Sequence, residues 1–534
     1  MSDSARQIVY RAEAQRRLMA GVDVLADAVR VTMGPGGENV IIEQENGPPV
    51  LTKDGVTVAK AVNLSAQFEN MGVQIVKEAA AKTAETAGDG TTTATVLTQV
   101  LVKGGQKLIA AGHNPVKLCK GIRTAATEAR EVLSTLGIEV TSDEDIVNIG
   151  AISANGDRQI GEFLADAMRH VGRGGVITVD EARGFTTTLD IVNGFELDRG
   201  FISPYFVTNQ GRGIVKFNNP RILLVNKRLS SMQEILPLLE STRRSSEALL
   251  IIADDVDGEA LKMCVLNALK GIVKVCILRA PEFGETRVEA MQDLAALFGT
   301  TLYTAGEQLP ADVSELGTCE KFEASRKSSI FVGMLEQGED EVENRLALVK
   351  ESLEHPGLDD QIVNYFHRRV ARLSGGIAVI RVGGATELEL RERKDRIDDA
   401  VHATRAAVKG GIVAGGGTAF LQTIKLMKKS KNLPKDADEL AGWNLLLSSL
   451  EMPLRQIVKN AGLVPDVVLA KISTMKPYYG FDARSEKYCN LLENGIIDPL
   501  PVVMAALEHA TSAALNLLSI GCAMTIEKNG FFNE

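Results

Sequence analysis

The chain has 534 residues with a net charge of −10, 45% hydrophobic and 24% charged, an ordinary soluble balance spread over about two to four domains rather than one core. The acidic balance and the lack of a basic stripe exclude nucleic acid as an expected partner, and no apolar run approaches a membrane span. Six cysteines without C-x-x-C, six histidines without HExxH and a charged, non-apolar stretch from Met1 to Arg17 exclude a disulfide framework, a zinc motif and a signal peptide, and predict a reducing, cytoplasmic location.

Residues 12–33 carry Leu18, Val22, Leu25 and Val29 on one helical face, and Met33-Gly34-Pro35-Gly36-Gly37 stops that helix. Val40-Ile41-Ile42 and Val50-Leu51-Thr52, separated by Asn46-Gly47, predict a hairpin that ends in the acidic turn Lys53-Asp54-Gly55. Phe68, Met71, Ile75 and Ala79 mark the next helix.

That helix runs into Ala87-Gly88-Asp89-Gly90-Thr91-Thr92-Thr93-Ala94-Thr95, followed by Leu97, Val100, Leu101, Gly104 and Leu108 at helical spacing. Two glycines feeding a helix N-terminus suit a phosphate, which the unpaired N–H groups and the dipole attract. Asp89 cannot face phosphate directly, and a hard cation such as Mg²⁺ between the two reconciles them. An N-capped helix with a flexible entrance is the competing reading. No GxxxxGK[ST] occurs, so a nucleoside triphosphate would bind without a P-loop lysine.

Residues 115–135 form a further amphipathic helix, and the character of the chain changes near 136. From 193 to 377 strand and helix alternate: 222–225, 249–252, 273–278 and 301–303 as strands, 231–242, 258–270 and 287–298 as helices. That order predicts a parallel sheet flanked by helices; without GxGxxG after its first strand it is not a dinucleotide site.

Gly375-Gly376 and Val382-Gly383-Gly384 read as turns or hinges. Residues 386–409 form a charged helix with Ile397, Val401, Thr404 and Val408 on one stripe. Asp399, two residues past Ile397, points away from that stripe, which by itself predicts a solvated acid. Gly410-Gly411 and Ala414-Gly415-Gly416-Gly417 break the chain before a mostly helical stretch, 418–525. Helical ends around an α/β middle describe one domain inserted in another.

Taken together, the motifs resemble the GroEL-type group I chaperonins over nearly the full length. They are Val24-Leu25-Ala26-Asp27-Ala28-Val29 with Thr32-x-Gly34-Pro35, Thr52-Lys53-Asp54-Gly55-Val56, the Ala87–Leu97 signature, Ile152-Ser153-Ala154-Asn155 and Ser203-Pro204-Tyr205-Phe206. Asp399-Ala400-x-His402-Ala403-Thr404-Arg405, Gly415-Gly416-Gly417 and Asp498-Pro499 complete the set in order.

The resemblance implies a multidomain α/β subunit of a heptameric ring. A mostly helical equatorial ATPase domain would span 1–135 and 410–526, a small hinge-linked intermediate domain 136–192 and 378–409, and an α/β apical domain 193–377, with a short tail at 527–534. It implies ATP bound by Thr32, Met33, Gly34, Pro35 and Lys53, with K⁺ close by. Asp89 would hold Mg²⁺, and Gly90, Thr91, Thr92 and Thr93 would cradle phosphates. Gly416 would let the backbone approach, and Asp482, Ala483, Arg484 and Asp498 would surround adenine and ribose. Asp399, helped by Asp54, would orient and polarise the attacking water. Phe201, Tyr205, Phe206, Leu236, Leu239, Leu261, Val265 and Leu266 would bind non-native polypeptides, although sequence alone reads them as core. Arg199 and Glu387 match a pair that latches the apical to the intermediate domain. The implied function is ATP-driven folding of unfolded polypeptides in a ring cavity, with a lid co-chaperonin as a further partner. A passive ring and a metabolic ATP-dependent enzyme are the competing functions.

Several positions depart from the family pattern. Gly36 replaces a basic residue, Asp482 an asparagine and Arg484 a small residue. Gly410-Gly411 replaces acid-Gly at the lower hinge, and Val464 replaces the usual glutamate partner of Arg455, predicting a weaker ring–ring interface. The chain ends Glu527-Lys528-Asn529-Gly530-Phe531-Phe532-Asn533-Glu534 in place of a Gly-Gly-Met tail.

Overall fold

The computed structural model describes residues 6–44, 49–154, 156–172, 175–182, 184–210, 212–334, 339–353 and 360–526. The Asn46-Gly47 turn, Asn155 and the 527–534 tail lie outside them. The chain divides into two compact units, Met1–Asp166 with Glu181–Thr187 and Val382–Glu534, and Ala167–Asp180 with Thr188–Arg381.

The first unit is helical. Its framework is the helices Arg11–Arg30, Gln67–Ala87, Thr91–Ala110, Pro115–Thr135, Ala437–Ser449 and Leu500–Leu518. Leu18, Val22, Leu25 and Val29 enter one aliphatic core with Leu97, Leu101, Leu118, Ile122 and Trp443, as their spacing predicts. Met71 does not: it is exposed, and Phe68, Val73 and Val76 form the buried stripe of its helix. Reciprocal glycines bring the first two helices into backbone contact. A Cβ on Gly21 would fall 1.8 Å from the Glu69 carbonyl oxygen, and one on Gly72 2.0 Å from that of Leu18.

The hairpin Val40–Ile42 with Val50–Thr52 forms in the register Val40↔Thr52. The charged helix spans Glu387–Gly410, opened by Thr386, whose side chain accepts from the Glu389 N–H. Ile397, Ala400, Val401 and Thr404 are buried along it. A short ladder, Ile412–Ala414 with Ile497–Pro499, joins the end of that helix to Asp498.

The second unit is built on a mixed sheet. The alternating stretch does give parallel strands: Leu302–Tyr303, Arg221–Leu229, Ala248–Val256 and Lys274–Arg279 pair in that order. Antiparallel strands extend it: Gly317–Ala324, Ser329–Met334, Thr188–Leu197 and Gly376–Val382. The expectation of a simple parallel sheet is therefore corrected to a parallel segment inside a mixed one. Phe195, Phe298, Phe322 and Phe331 cluster at its centre. Asp293, fully buried, accepts from Arg345 Nε at 2.7 Å and Arg369 Nε at 2.6 Å, stapling the helix Gly284–Phe298 to Glu339–Leu353 and Asp360–Leu373.

Candidate functional site

Three turns and one helix of the first unit converge. The first turn leaves the helix Arg11–Arg30. Thr32 Oγ1 donates to the Val29 carbonyl at 2.9 Å, and Thr32 and Met33 are buried while Gly34 and Pro35 are exposed. Asn460 holds this turn: its Nδ2 donates to the carbonyls of Arg30 and Met33, both at 2.9 Å. A Cβ on Gly36 would lie 2.7 Å from the Asn460 carbonyl oxygen, so the turn has no room for the basic residue the family pattern expects.

The second turn carries half-buried Lys53 and Asp54. Asp54 caps the helix Gly55–Ala61, accepting from the N–H groups of Val56 at 3.0 Å and Thr57 at 2.8 Å. A Cβ on Gly55 would fall 2.2 Å from Thr92 Oγ1, so this cap sits directly against the helix that starts at Thr91.

The third turn is Gly88-Asp89-Gly90. Both glycines are left-handed, φ 79° and 87°, a conformation other residues reach only under strain. Gly90 is the N-cap and supplies no side-chain acceptor, so the amides of Thr91, Thr92 and Thr93 are left uncapped at the positive end of a 20-residue helix. Asp89 Oδ1 accepts from the Gly90 N–H at 2.5 Å.

The helix Glu387–Gly410 closes the site. A Cβ on Gly88 would fall 2.2 Å from His402 Cβ, so the two backbones touch. Asp399 is half-buried rather than solvated. Burial and the charges of Asp54 and Asp89 push its carboxyl well above the ordinary range. Burial likewise raises Asp89, against its Gly90 hydrogen bond and with Asp54 adding to it. Burial and Asp89 raise Asp498 to about 6, against a hydrogen bond from Gly416. Four carboxylates thus share one field, and among the described residues none of the four is in an ion pair. No three described His, Cys, Asp or Glu side chains are arranged to hold a metal ion unaided.

Gly416 has φ 60° and nothing within 4 Å of where its Cβ would be, leaving open space beside Asp498. Thr418 Oγ1, at the start of the next helix, is buried without a hydrogen-bond partner. The hairpin Tyr479–Asp482 with Lys487–Asn490 rests there, since a Cβ on Gly480 would lie 2.6 Å from that oxygen. Asp482 is occupied by its own turn: it accepts from Arg484 N at 2.9 Å and from Ser485 Oγ. Ala483 is half-buried against the core and Arg484 exposed.

Sequence reasoning missed Asn460, Thr418 and the Gly88–His402 contact. No local signal marks the first two; the third was readable only as a glycine whose neighbour is far along the chain.

In the second unit the eight candidate polypeptide-binding residues split. Tyr205 and Leu266 are exposed, at 59% and 51%. Leu236, Leu261 and Val265 are half-buried. Phe201, Phe206 and Leu239 are buried, at 8%, 2% and 4%, and pack in the core as sequence alone reads them. Tyr205 borders a cavity of about 380 Å³ with Pro204, Val207, Ala268 and Leu269. Arg199 lies over the Phe283 ring at 5.1 Å. In the first unit, Glu387 bonds Arg391 at 3.2 Å. There too, Arg455 is paired within the chain, to Glu451 at 3.0 Å and Asp466 at 2.7 Å, and Val464 is 62% exposed.

The model of the TCP-1/cpn60 chaperonin family matches residues 25–527. Two solved structures of the chaperonin gp146 from bacteriophage EL 2 (Pseudomonas aeruginosa), both in the presence of ATP-BeFx, share the fold at 22% identity. Each match covers 98% of this chain and 99% of the other, with a TM-score of 0.67 for crystal form II and 0.62 for form I.

Proposed function

Because the chain belongs to the TCP-1/cpn60 chaperonin family, ATP-dependent chaperones that bind non-native polypeptides and assemble as rings, we propose that the acid-lined pocket of the first unit is its ATPase site. The convergence of Asp54, Asp89, Asp399 and Asp498, from four separate stretches and without a neutralising side chain, carries this reading. Thr32, Met33, Gly34, Pro35 and Lys53 line one side, and the uncapped amides of Thr91, Thr92 and Thr93 face the phosphates with Gly90. The open face of Gly416 admits the nucleotide beside Asp498, and the hairpin 482–484 borders the base.

Unneutralised carboxylates fit a hard cation. Asp89 would hold Mg²⁺, with phosphate oxygens and water completing its shell, and K⁺ would sit near Lys53 and the Thr32–Pro35 turn. The metal would spread the charge that develops on the phosphate oxygens. Asp399 then orients and polarises an in-line water, and Asp54, fixed as a helix cap, keeps it in place. No covalent step is asked of the chain.

The three-domain division at 135/136, 192/193, 377/378 and 409/410 is proposed with the glycine breaks as its hinges. A heptameric ring, a lid co-chaperonin and a cytoplasmic setting complete the proposal. No described helix is long and apolar enough to cross a membrane. Tyr205 and Leu266 offer the first apolar contact to a captured chain, with Leu236, Leu261 and Val265 beside them and Phe201, Phe206 and Leu239 beneath. Steady-state ATPase of Asp399→Ala tests the site. Turnover falls by about 100-fold or more with nucleotide binding retained; undiminished turnover removes Asp399 from the reaction.

A further inference from the structure

The antiparallel part of the second unit carries two different faces. Its strands neighbour one another in the order Val176–Glu181, Gly376–Val382, Thr188–Leu197, Ser329–Met334, Gly317–Ala324 and Val215–Asn218. On one face the register aligns Phe195, Phe331, Phe322 and Phe217, which belong to the main core. On the other it aligns Ile377 with Val192, Val332 with Lys321, and Lys321 with Asn218. Laid flat, the first and fifth strands would stand four spacings apart, about 19 Å at about 4.8 Å each. Yet Lys321 Nζ, on the fifth, donates to Asp180 Oδ2, on the first, and Lys216 Nζ, on the sixth, reaches Asp180 Oδ1 at 3.3 Å. The sheet therefore curls until its edges meet, and an ion-pair clasp closes it where a barrel would use backbone pairing.

The curl encloses a cavity of about 170 Å³ to which all six strands contribute. Its floor is apolar: Val192, Val332 and Val379 belong to a small cluster separate from the main core. Its wall is polar and rich in donors. Thr178 Oγ1 is buried without a hydrogen-bond partner. Arg381 gives its Nε to Asp190, and among the described residues its Nη groups bond no acceptor. Lys321 is 9% exposed and shares Asp180 with Lys216. Burial lowers Lys321 in spite of that partner, so one shared carboxylate does not offset its loss of water. Glu320 and Asn218 stand at the exposed rim, where solvent screens the acid.

We propose that this cavity is a binding site for a small carboxylate with an apolar body. The carboxylate accepts from Thr178 Oγ1, Lys321 and Arg381, and the body lies on the three valines. An apolar cavity of about 150 Å³ admits a benzene ring, so benzoate is a probe of matching size and charge. Because its partners sit on strands from both edges of the curl, the ligand reinforces the clasp. The site is independent of the acid-lined pocket, which lies in the other unit.

The test is isothermal titration calorimetry of benzoate into the full assembled protein, with benzyl alcohol and benzylamine as its uncharged and cationic counterparts. Benzoate saturates a single site per chain with a Kd of about 1 mM or below. Benzyl alcohol and benzylamine bind at least about tenfold more weakly. Thr178→Val, which keeps nearly the same volume and removes the hydroxyl, weakens benzoate about fivefold. Val379→Phe, which fills the floor, abolishes binding. No saturable binding of benzoate, equal affinity for either counterpart, or an affinity unchanged in Thr178→Val overturns the proposal. So does benzoate binding that survives in Val379→Phe, since it places the ligand on another surface, such as the exposed Tyr205 and Leu266. Thr178→Val keeps the test intact even if Val379→Phe does not fold.

Discussion

Gly88→Ala is the sharpest probe of how the Asp399 helix is seated. Two costs arise at this position. The left-handed backbone, φ 79°, costs a side-chain-bearing residue about 1 kcal/mol. The new methyl would also lie 2.2 Å from His402 Cβ, whereas carbon atoms settle at about 3.5–4.0 Å. His402 Cβ is fixed to its backbone, so the helix must retreat by about 1.5 Å, and Asp399 lies within one turn of the same helix. A displacement of about 1 Å at a reacting group costs about 100-fold in rate. Gly112→Ala supplies the control: it has φ 102° and nothing within 4 Å, so it carries the strain without the collision. Urea unfolding followed by circular dichroism should show about 1 kcal/mol lost in Gly112→Ala and somewhat more in Gly88→Ala. Phosphate-release assays should show kcat unchanged in the first and about 100-fold lower in the second. A folded Gly88→Ala ring that turns over normally refutes the claim that this contact sets the position of Asp399.

The other expectations concern charge and support. Asp498 is raised from the ordinary 3.8 to about 6, so its contribution is present below the unfolded value and is lost as pH climbs through about 6. Nucleotide-free wild type should therefore lose about 2 kcal/mol relative to Asp498→Asn between pH 4 and 7, allowing for partial exposure; parallel urea midpoints across that range would contradict it. Asn460→Ala removes the amide that holds the Arg30 and Met33 carbonyls and should weaken nucleotide binding about tenfold by calorimetry, with kcat at saturation preserved. In the second unit, Asp293→Asn leaves Arg345 and Arg369 without their buried acid. It should cost about 3–5 kcal/mol, seen as faster proteolysis within 284–373 while ATPase is retained.

Helices that bury one face were legible because their spacing records it: residues 115–135 form the helix Pro115–Thr135. The parallel strands were legible because strands buried on both faces read as short apolar runs, as in Leu249-Leu250-Ile251-Ile252. The antiparallel extension was not. Thr188–Leu197 mixes polar and apolar residues and pairs with Gly376–Val382, far along the chain, where no local pattern announces a partner. Asp399 shows the same limit at the candidate site. Its position off the apolar stripe correctly predicts that it leaves its own helix core, but what it faces is set by Asp54 and Asp89, more than 300 positions earlier in the sequence. Gly36 and Gly410 were legible only as departures. Their reasons are steric: the Asn460 carbonyl lies against one, and Pro501 Cγ would sit 2.3 Å from a Cβ on the other.

The seat of the Asp399 helix is a balance between two opposed contributions. Ile397, Ala400, Val401 and Thr404 are buried along it and Gly88 admits His402, which favours the closed position by apolar burial. Asp399 meanwhile meets the fields of Asp54 and Asp89, which oppose closure whenever it is ionised. Raising the charge on these acids weakens the seat; neutralising them strengthens it. On the proposed role of Asp399, the same quantity, net charge in the pocket, would set both how firmly the helix sits and how well Asp399 accepts a hydrogen bond from water. Arg455 shows what the absence of such a balance looks like: with Glu451 and Asp466 both in place, its charge is settled within the chain and gives no reason for its surroundings to move. On the proposed assignment of the site, acids without an ion pair beneath this helix would answer to a cation entering with the nucleotide, and that response would couple ATP turnover to motion of the Asp399 helix.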